Sequence, residues 1–139
     1  MKNIFTTLFI LLIASGVAFS QAQKSIVKSI ATADASAVVL ELPGKVTVQE
    51  WEKDFLRIVV TINAKNTSED ILKRLISVGR YNIKNEVIGD KVHITMPKMA
   101  HTVTIKGTDL EDQLHFEVSY PKDSILQIIL PKFYVPAQA

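Results

Sequence analysis

From Ala37 to Leu130, apolar side chains recur at every second position. They do so in Val38-Leu40-Leu42, Val46-Val48, Leu56-Ile58-Val60-Ile62, Val92-Ile94-Met96 and Leu114-Phe116-Val118-Tyr120. A period of two places each set on one face of a β-strand, so each run demands a sheet with one face buried. The turn residues between the runs, Pro43-Gly44, Gly89-Asp90 and Pro121-Lys122-Asp123, divide the chain into short strands.

The first three runs can be paired as a meander. A three-residue loop Pro43-Gly44-Lys45 sets Leu42 against Val46 and Leu40 against Val48, whereas a two-residue loop would mix the faces. A five-residue loop from Trp51 to Phe55 sets Val48 against Ile58 and Val46 against Val60. Further on, Pro97 to Ala100 join two runs that place Val103 and Ile105 against Ile94 and Val92, with His101 opposite Met96. Ile125 to Leu130 is a more continuously apolar strand. The tail "PKFYVPAQA" carries two prolines, which suit an edge or a docked extension.

One stretch, "TSEDILKRLISVGRYN", breaks the alternation. Ile71, Leu72, Leu75 and Ile76 form a stripe at helical spacing, which predicts one amphipathic helix over about 68–78. Thr67 with Asp70 resembles a capping box, and Glu69 and Asp70 place negative charge in the first turn. Glu69 with Lys73 and Asp70 with Arg74 are i,i+4 pairs, and Gly79 is placed to end the helix. The expected fold is mainly β, about eight strands with one packed helix. An antiparallel meander or sandwich and a short β-solenoid-like sheet both satisfy the pattern.

Residues before the first strand have a different character. Met1-Lys2-Asn3 is a short positive segment, and Ile4 to Val17 is largely apolar. Ala18 and Ser20 then stand at the small-residue positions of a cut after Ser20, with a cut after Ala22 nearly as good. This is the layout of a secretory signal peptide, and the apolar run is short for a membrane span. The expected organisation is a signal peptide over 1–22, a lead-in or edge strand over 23–36, one β-rich domain over 37–131 and a tail over 132–139. The expected location is the periplasm, the cell surface or the medium. No membrane span remains after cleavage.

The 139 residues carry 16 Lys and Arg against 14 Asp and Glu. That balance gives no electrostatic case for nucleic acid. The chain has no cysteine, so an exported domain of this size rests on its apolar core without disulfides. The three histidines, His93, His101 and His115, do not converge in the paired strands, and no HxH, HExxH or cysteine pair supplies a zinc site. No GxSxG elbow or phosphate-binding glycine loop is present. Carboxylates cluster as Glu50-Glu52-Asp54 and Asp109-Glu111-Asp112, both in polar loops where solvated charge is the ordinary reading. No cofactor, metal or catalytic residue is assigned.

Trp51, the single tryptophan, sits with Phe55 around the hydrophilic tip Glu52-Lys53-Asp54. Such a pair either folds over the end of the sheet or stacks on a ligand. A lone aromatic more often packs than binds, so the first reading is a cap and the second a contact site. His101, on another loop, joins Trp51 and Phe55 as a candidate contact residue.

The stretch "VVLELPGKVTVQEWEKDFLRIVVTI", with its valine-rich strand, glycine turn and second valine strand ending in Trp51, resembles the opening of a family of exported bacterial proteins of unknown function. These are candidate adhesins built from β-strand repeats, common in Bacteroidetes-type envelopes. "KVHITMP" and "FEVSYPKDSILQIIL" are similar to the later, proline-punctuated strands of that family. The resemblance implies an adhesin-like, non-enzymatic binding or structural module of the cell envelope, with an envelope protein or glycan as partner. The alternative is a small glycan-directed hydrolase or lyase that uses loop carboxylates.

Overall fold

A computed structural model describes residues 21–32 and 35–135; the expected leader lies almost wholly outside them. The described strands are β1 (Ala22–Ala31), β2 (Ala37–Glu41), β3 (Lys45–Trp51), β4 (Phe55–Ala64), β5 (Lys84–Ile88), β6 (Lys91–Thr95), β7 (Thr104–Ile105), β8 (Thr108–Asp109), β9 (Asp112–Pro121) and β10 (Ile125–Ile129). One α-helix, α1 (Glu69–Ser77), follows β4, and a 3-10 turn spans Pro97–Ala100. The fold is mainly β with one packed helix, as the alternating pattern requires.

Two four-stranded sheets carry the core. The first has the order β1-β4-β9-β3 and the second β10-β2-β6-β5. Both are mixed: β3 runs parallel to β9, and β2 runs parallel to both β6 and β10, while the remaining neighbours are antiparallel. Inward residues from both sheets, among them Val38, Leu40, Ile94, Leu56, Ile58, Val60 and Phe116, form one buried cluster.

The local meander of β2, β3 and β4 is not what forms. β2 and β3 lie in different sheets, joined at the Leu42–Gly44 corner, and β9 is inserted between β3 and β4. An alternating strand fits any neighbour that keeps its apolar face inward, so the pattern fixes the face and leaves the neighbour open. β9 takes the central place because Leu114, Phe116 and Val118 are all buried. β3, with Thr47 and Gln49 exposed, takes the edge. The β1 segment forms the opposite edge of the same sheet.

The hairpin that would set Val103 and Ile105 against β6 does not form either. β6 is paired on one side by β2 and on the other by β5, which leaves no free edge. Thr104 and Ile105 pair instead with Asp109 and Thr108 across Lys106 and Gly107, both left-handed at φ 51° and 79°. That backbone is the kind a two-residue hairpin turn requires.

Helix α1 starts one residue later than the capping-box reading: Ser68, not Thr67, is the N-cap, its hydroxyl accepting from the Ile71 amide. Gly79 ends the helix at φ 84°. Its amide donates to the Ile76 carbonyl and the Arg80 amide to that of Leu75, which satisfies two otherwise unpaired carbonyls. Leu72 is fully buried, and Leu75 and Ile76 pack on the core cluster. Glu69 pairs with Lys73 on the helix and with Lys24 of β1, which ties the wet face of the helix to the sheet.

Candidate functional site

β3 ends at Trp51 and β4 begins at Phe55, so three exposed residues, Glu52, Lys53 and Asp54, make the turn between them. The Trp51 indole Nε1 donates to the Phe55 carbonyl at 2.8 Å. The two rings meet edge to face, with centroids 4.8 Å apart and planes at 69°. The Lys53 ammonium stands 5.0 Å from the Trp51 ring centre and 5.7 Å from that of Phe55. The polar atom of the indole is therefore spent inside the turn, and both side chains remain half-buried.

The β9–β10 turn lies against this corner. The Lys122 amide donates to the Trp51 carbonyl at 3.2 Å, and the Lys122 ammonium pairs with Glu52 at 3.0 Å. Between the two turns and Thr32 is an open hollow of about 250 Å³. Its rim carries charges of both signs, from Glu52, Lys53, Asp54, Lys122 and Asp123.

His101 does not lie opposite Met96 on an apolar face. It follows the 3-10 turn, is exposed, and is not among the residues lining the Trp51 hollow. His93 lies in β6 between Val39 and Glu86, and His115 Nε2 is 3.0 Å from the Thr47 hydroxyl on the outer face of β9. Among the described residues, no three His, Asp or Glu side chains are grouped to hold a metal ion. Of the three expected contact residues, Trp51 and Phe55 come together, but only Trp51 lines the hollow, and neither Phe55 nor His101 does.

The carboxylates read as loop charges divide. Glu50 accepts from the Tyr120 hydroxyl at 3.2 Å, and Asp109 accepts from the Thr104 hydroxyl at 3.2 Å. Asp112 is not a solvated loop charge: its side chain is 7% exposed and faces Arg80, 8% exposed. Arg80 Nε donates to Asp112 Oδ2 at 2.9 Å, and a second guanidinium nitrogen lies 3.4 Å from Oδ1. The third nitrogen donates to the His101 carbonyl at 2.8 Å, and the Tyr81 hydroxyl donates to Asp112 Oδ2 at 2.8 Å. Burial works against the charge of Arg80, but the bonds and attraction from Asp112 outweigh it and raise the guanidinium pKa. Burial, and then the adjacent Asp112 charge, push the Tyr81 phenol well above its ordinary range.

Arg80, Tyr81 and Asp112 thus form a buried knot that fastens the end of α1 and the His101 segment to the start of β9. Each guanidinium nitrogen of Arg80 and the Tyr81 hydroxyl faces an acceptor within the chain, so the arrangement holds structure. Sequence reasoning missed it because the partners are 32 residues apart and Asp112 stands among other acidic residues. A wider hollow of about 550 Å³ opens at the β2–β3 corner beside Gly44, Leu114, Leu130 and Tyr134. The only carboxylate lining it among the described residues is this same Asp112.

No protein-family model matches the chain, and no curated protein matches it either. Among solved structures, a candidate cell adhesion protein from Clostridium sporogenes is similar at 14% identity with a TM-score of 0.44. The match covers 78% of this chain, which spans 46% of that protein's length. Among the described residues, no helix is long and apolar enough to cross a membrane.

Proposed function

We propose that the protein is an exported, non-enzymatic binding module of the cell envelope that contacts an envelope protein or glycan through the Trp51 corner. The observation that carries this reading is the corner itself. An open hollow lined by the half-buried Trp51, which Phe55 backs edge to face, with a rim of mixed charge suits contact with a polar polymer or protein surface better than enclosure of a small substrate. Four of the six carboxylates that an acid-base reading would use, Glu50, Glu52, Asp109 and Asp112, are engaged by a partner within the chain. The leader fits this reading: a cut after Ser20 leaves β1 whole, whereas a cut after Ala22 removes a residue that is 3% exposed and paired with Ala64.

The test is retention from an envelope fraction of the source cell on immobilised protein. Three baits are compared: the wild type, Trp51→Ala, and Lys53→Glu with Lys122→Glu, which changes the rim without removing the aromatic packing. Retention of a glycan or protein by the wild type, and its loss in the charge-reversed bait at an unchanged melting temperature, is the expected result. Equal retention by all three baits would move the contact away from the Trp51 corner.

A further inference from the structure

The outer side of the first sheet carries a strip of side chains that ends at Trp51. On β3, Thr47, Gln49 and Trp51 occupy alternate positions and so share that side, at steps of about 7 Å. Thr47 and Gln49 are exposed and Trp51 is half-buried. Their partners on β9 are Glu117, Ser119 and Pro121.

Two side-chain bonds hold the strip in place. The Thr47 hydroxyl and His115 Nε2 lie 3.0 Å apart, and Gln49 Nε2 donates to the Ser119 hydroxyl at 3.0 Å. Each bond joins two strands, so these side chains are positioned before any ligand arrives and have less rotamer freedom to lose on binding. Neither bond exhausts its groups. Gln49 keeps its carbonyl oxygen and a second amide hydrogen, and the Thr47 hydroxyl keeps an acceptor lone pair.

We propose that this strip binds an uncharged polysaccharide chain, laid along β3 with one sugar ring against Trp51. The proposal rests on the reading of the Trp51 corner as a contact site, and it selects a glycan over a protein as the partner. Sugar hydroxyls both donate and accept, as the side chains of Thr47 and Gln49 do, so the two sets match without burying a charge. The charges alongside, Lys45 and Glu117, are of opposite sign. A protein partner is anchored by several aromatic or Arg side chains in an apolar, closely packed patch, whereas the strip offers one ring at its end. The indole N–H of that ring is already bonded to the Phe55 carbonyl, which leaves its apolar surface to meet the C–H face of a sugar. Among the described residues no carboxylate pairs with the Lys53 ammonium above the ring, so it can give way.

The full chain, expressed with its own leader and purified from the host's export compartment, is sedimented with microcrystalline cellulose, chitin and curdlan. The expected result is retention on at least one of them, equal at about 0.05 and 0.5 M salt, since screening acts on charges and not on hydroxyls. Thr47→Lys and Gln49→Lys should each weaken it by about fivefold or more, while Gln127→Lys, at an exposed site of β10 in the other sheet, should leave it unchanged. If Gln49→Lys melts early, Thr47→Lys, which sets a lysine beside Glu117, carries the test. Retention on none of the three, retention that falls away with salt, or retention indifferent to Thr47→Lys would each overturn the proposal. An envelope protein retained through Trp51, with no polysaccharide bound, would overturn it and leave the Trp51 corner standing as a protein site.

Discussion

Val48 and Ile58 share one row of the first sheet, two strands apart, with Val118 between them. Val46 and Val60 share the next row across Phe116 in the same way. β3 and β4 therefore keep the register and the opposite directions of a hairpin while a third strand separates them. The Trp51–Phe55 turn spans the end of β9, which finishes at Pro121. A proline has no amide hydrogen to continue the ladder, and the pairing of β9 with β4 stops at Ser119. The two rings meet across that gap.

Gly44 is where the β2–β3 corner passes closest to β9. A Cβ placed there would lie 2.3 Å from the Leu114 carbonyl oxygen and 3.0 Å from the Phe116 ring. The first contact is backbone in a central strand and cannot move aside. Gly44→Ala should cost about 2–3 kcal/mol in urea denaturation, whereas Lys45→Ala beside it, at an exposed side chain, should change stability by less than about 0.5 kcal/mol. Equal stability of Gly44→Ala and wild type would contradict this packing.

The Arg80–Asp112 pair is buried on both sides, so removing one partner strands the other charge. Arg80→Met or Asp112→Asn should each destabilise by about 3–5 kcal/mol. The double variant should lose clearly less than the two single losses added together, because no orphaned charge remains. A double-mutant cycle in urea measures the difference, and strictly additive losses would show that the two side chains do not act on each other.

Tyr81 gives the domain an alkaline limit. In the unfolded chain a tyrosine ionises near pH 10, while the folded phenol is held neutral to higher pH by burial and by Asp112. Its contribution is thus fully present below about pH 10 and is lost as pH rises through the gap between the two values. Between about pH 8 and 10 the urea midpoints of the wild type and Tyr81→Phe should run parallel, and above about pH 10 the wild type should fall more steeply than Tyr81→Phe. Parallel curves above about pH 10 would contradict the assignment.

The faces of the strands were legible in the sequence, and their neighbours were not. Alternation in "LRIVVTI" and "LHFEVSY" tells which residues point inward, and each of those inward residues is buried except Tyr120 at the strand end, which is half-buried. The helix was legible almost to the residue, since its stripe, its acidic first turn and Gly79 are all local signals. Parallel pairing is a different matter. β2, β6 and β10 come together from positions 37, 91 and 125, and nothing local marks them as partners. One trace was available: continuing the strand register aligns Leu42-Pro43, Met96-Pro97 and Leu130-Pro131 at the same corner. The Trp51 and Phe55 pair was readable from its spacing, whereas the Arg80–Asp112 contact depends on the long-range path of the chain.

The insertion of β9 between β3 and β4 decides where the Trp51 corner forms and leaves β3 at the sheet edge, and a pair of cysteine variants tests it directly. The chain has no cysteine of its own. Thr47 and Glu117 are direct partners on neighbouring strands, about 4.8 Å apart in such a sheet, within disulfide reach. Thr47 and Val59 would be partners in a simple meander, but here they flank Glu117, at roughly 10 Å, beyond the ~7 Å limit. Mild oxidation followed by thiol titration should show closure in the Thr47→Cys, Glu117→Cys protein and free thiols in the Thr47→Cys, Val59→Cys protein. The reverse pattern would contradict the fold and the site built on it.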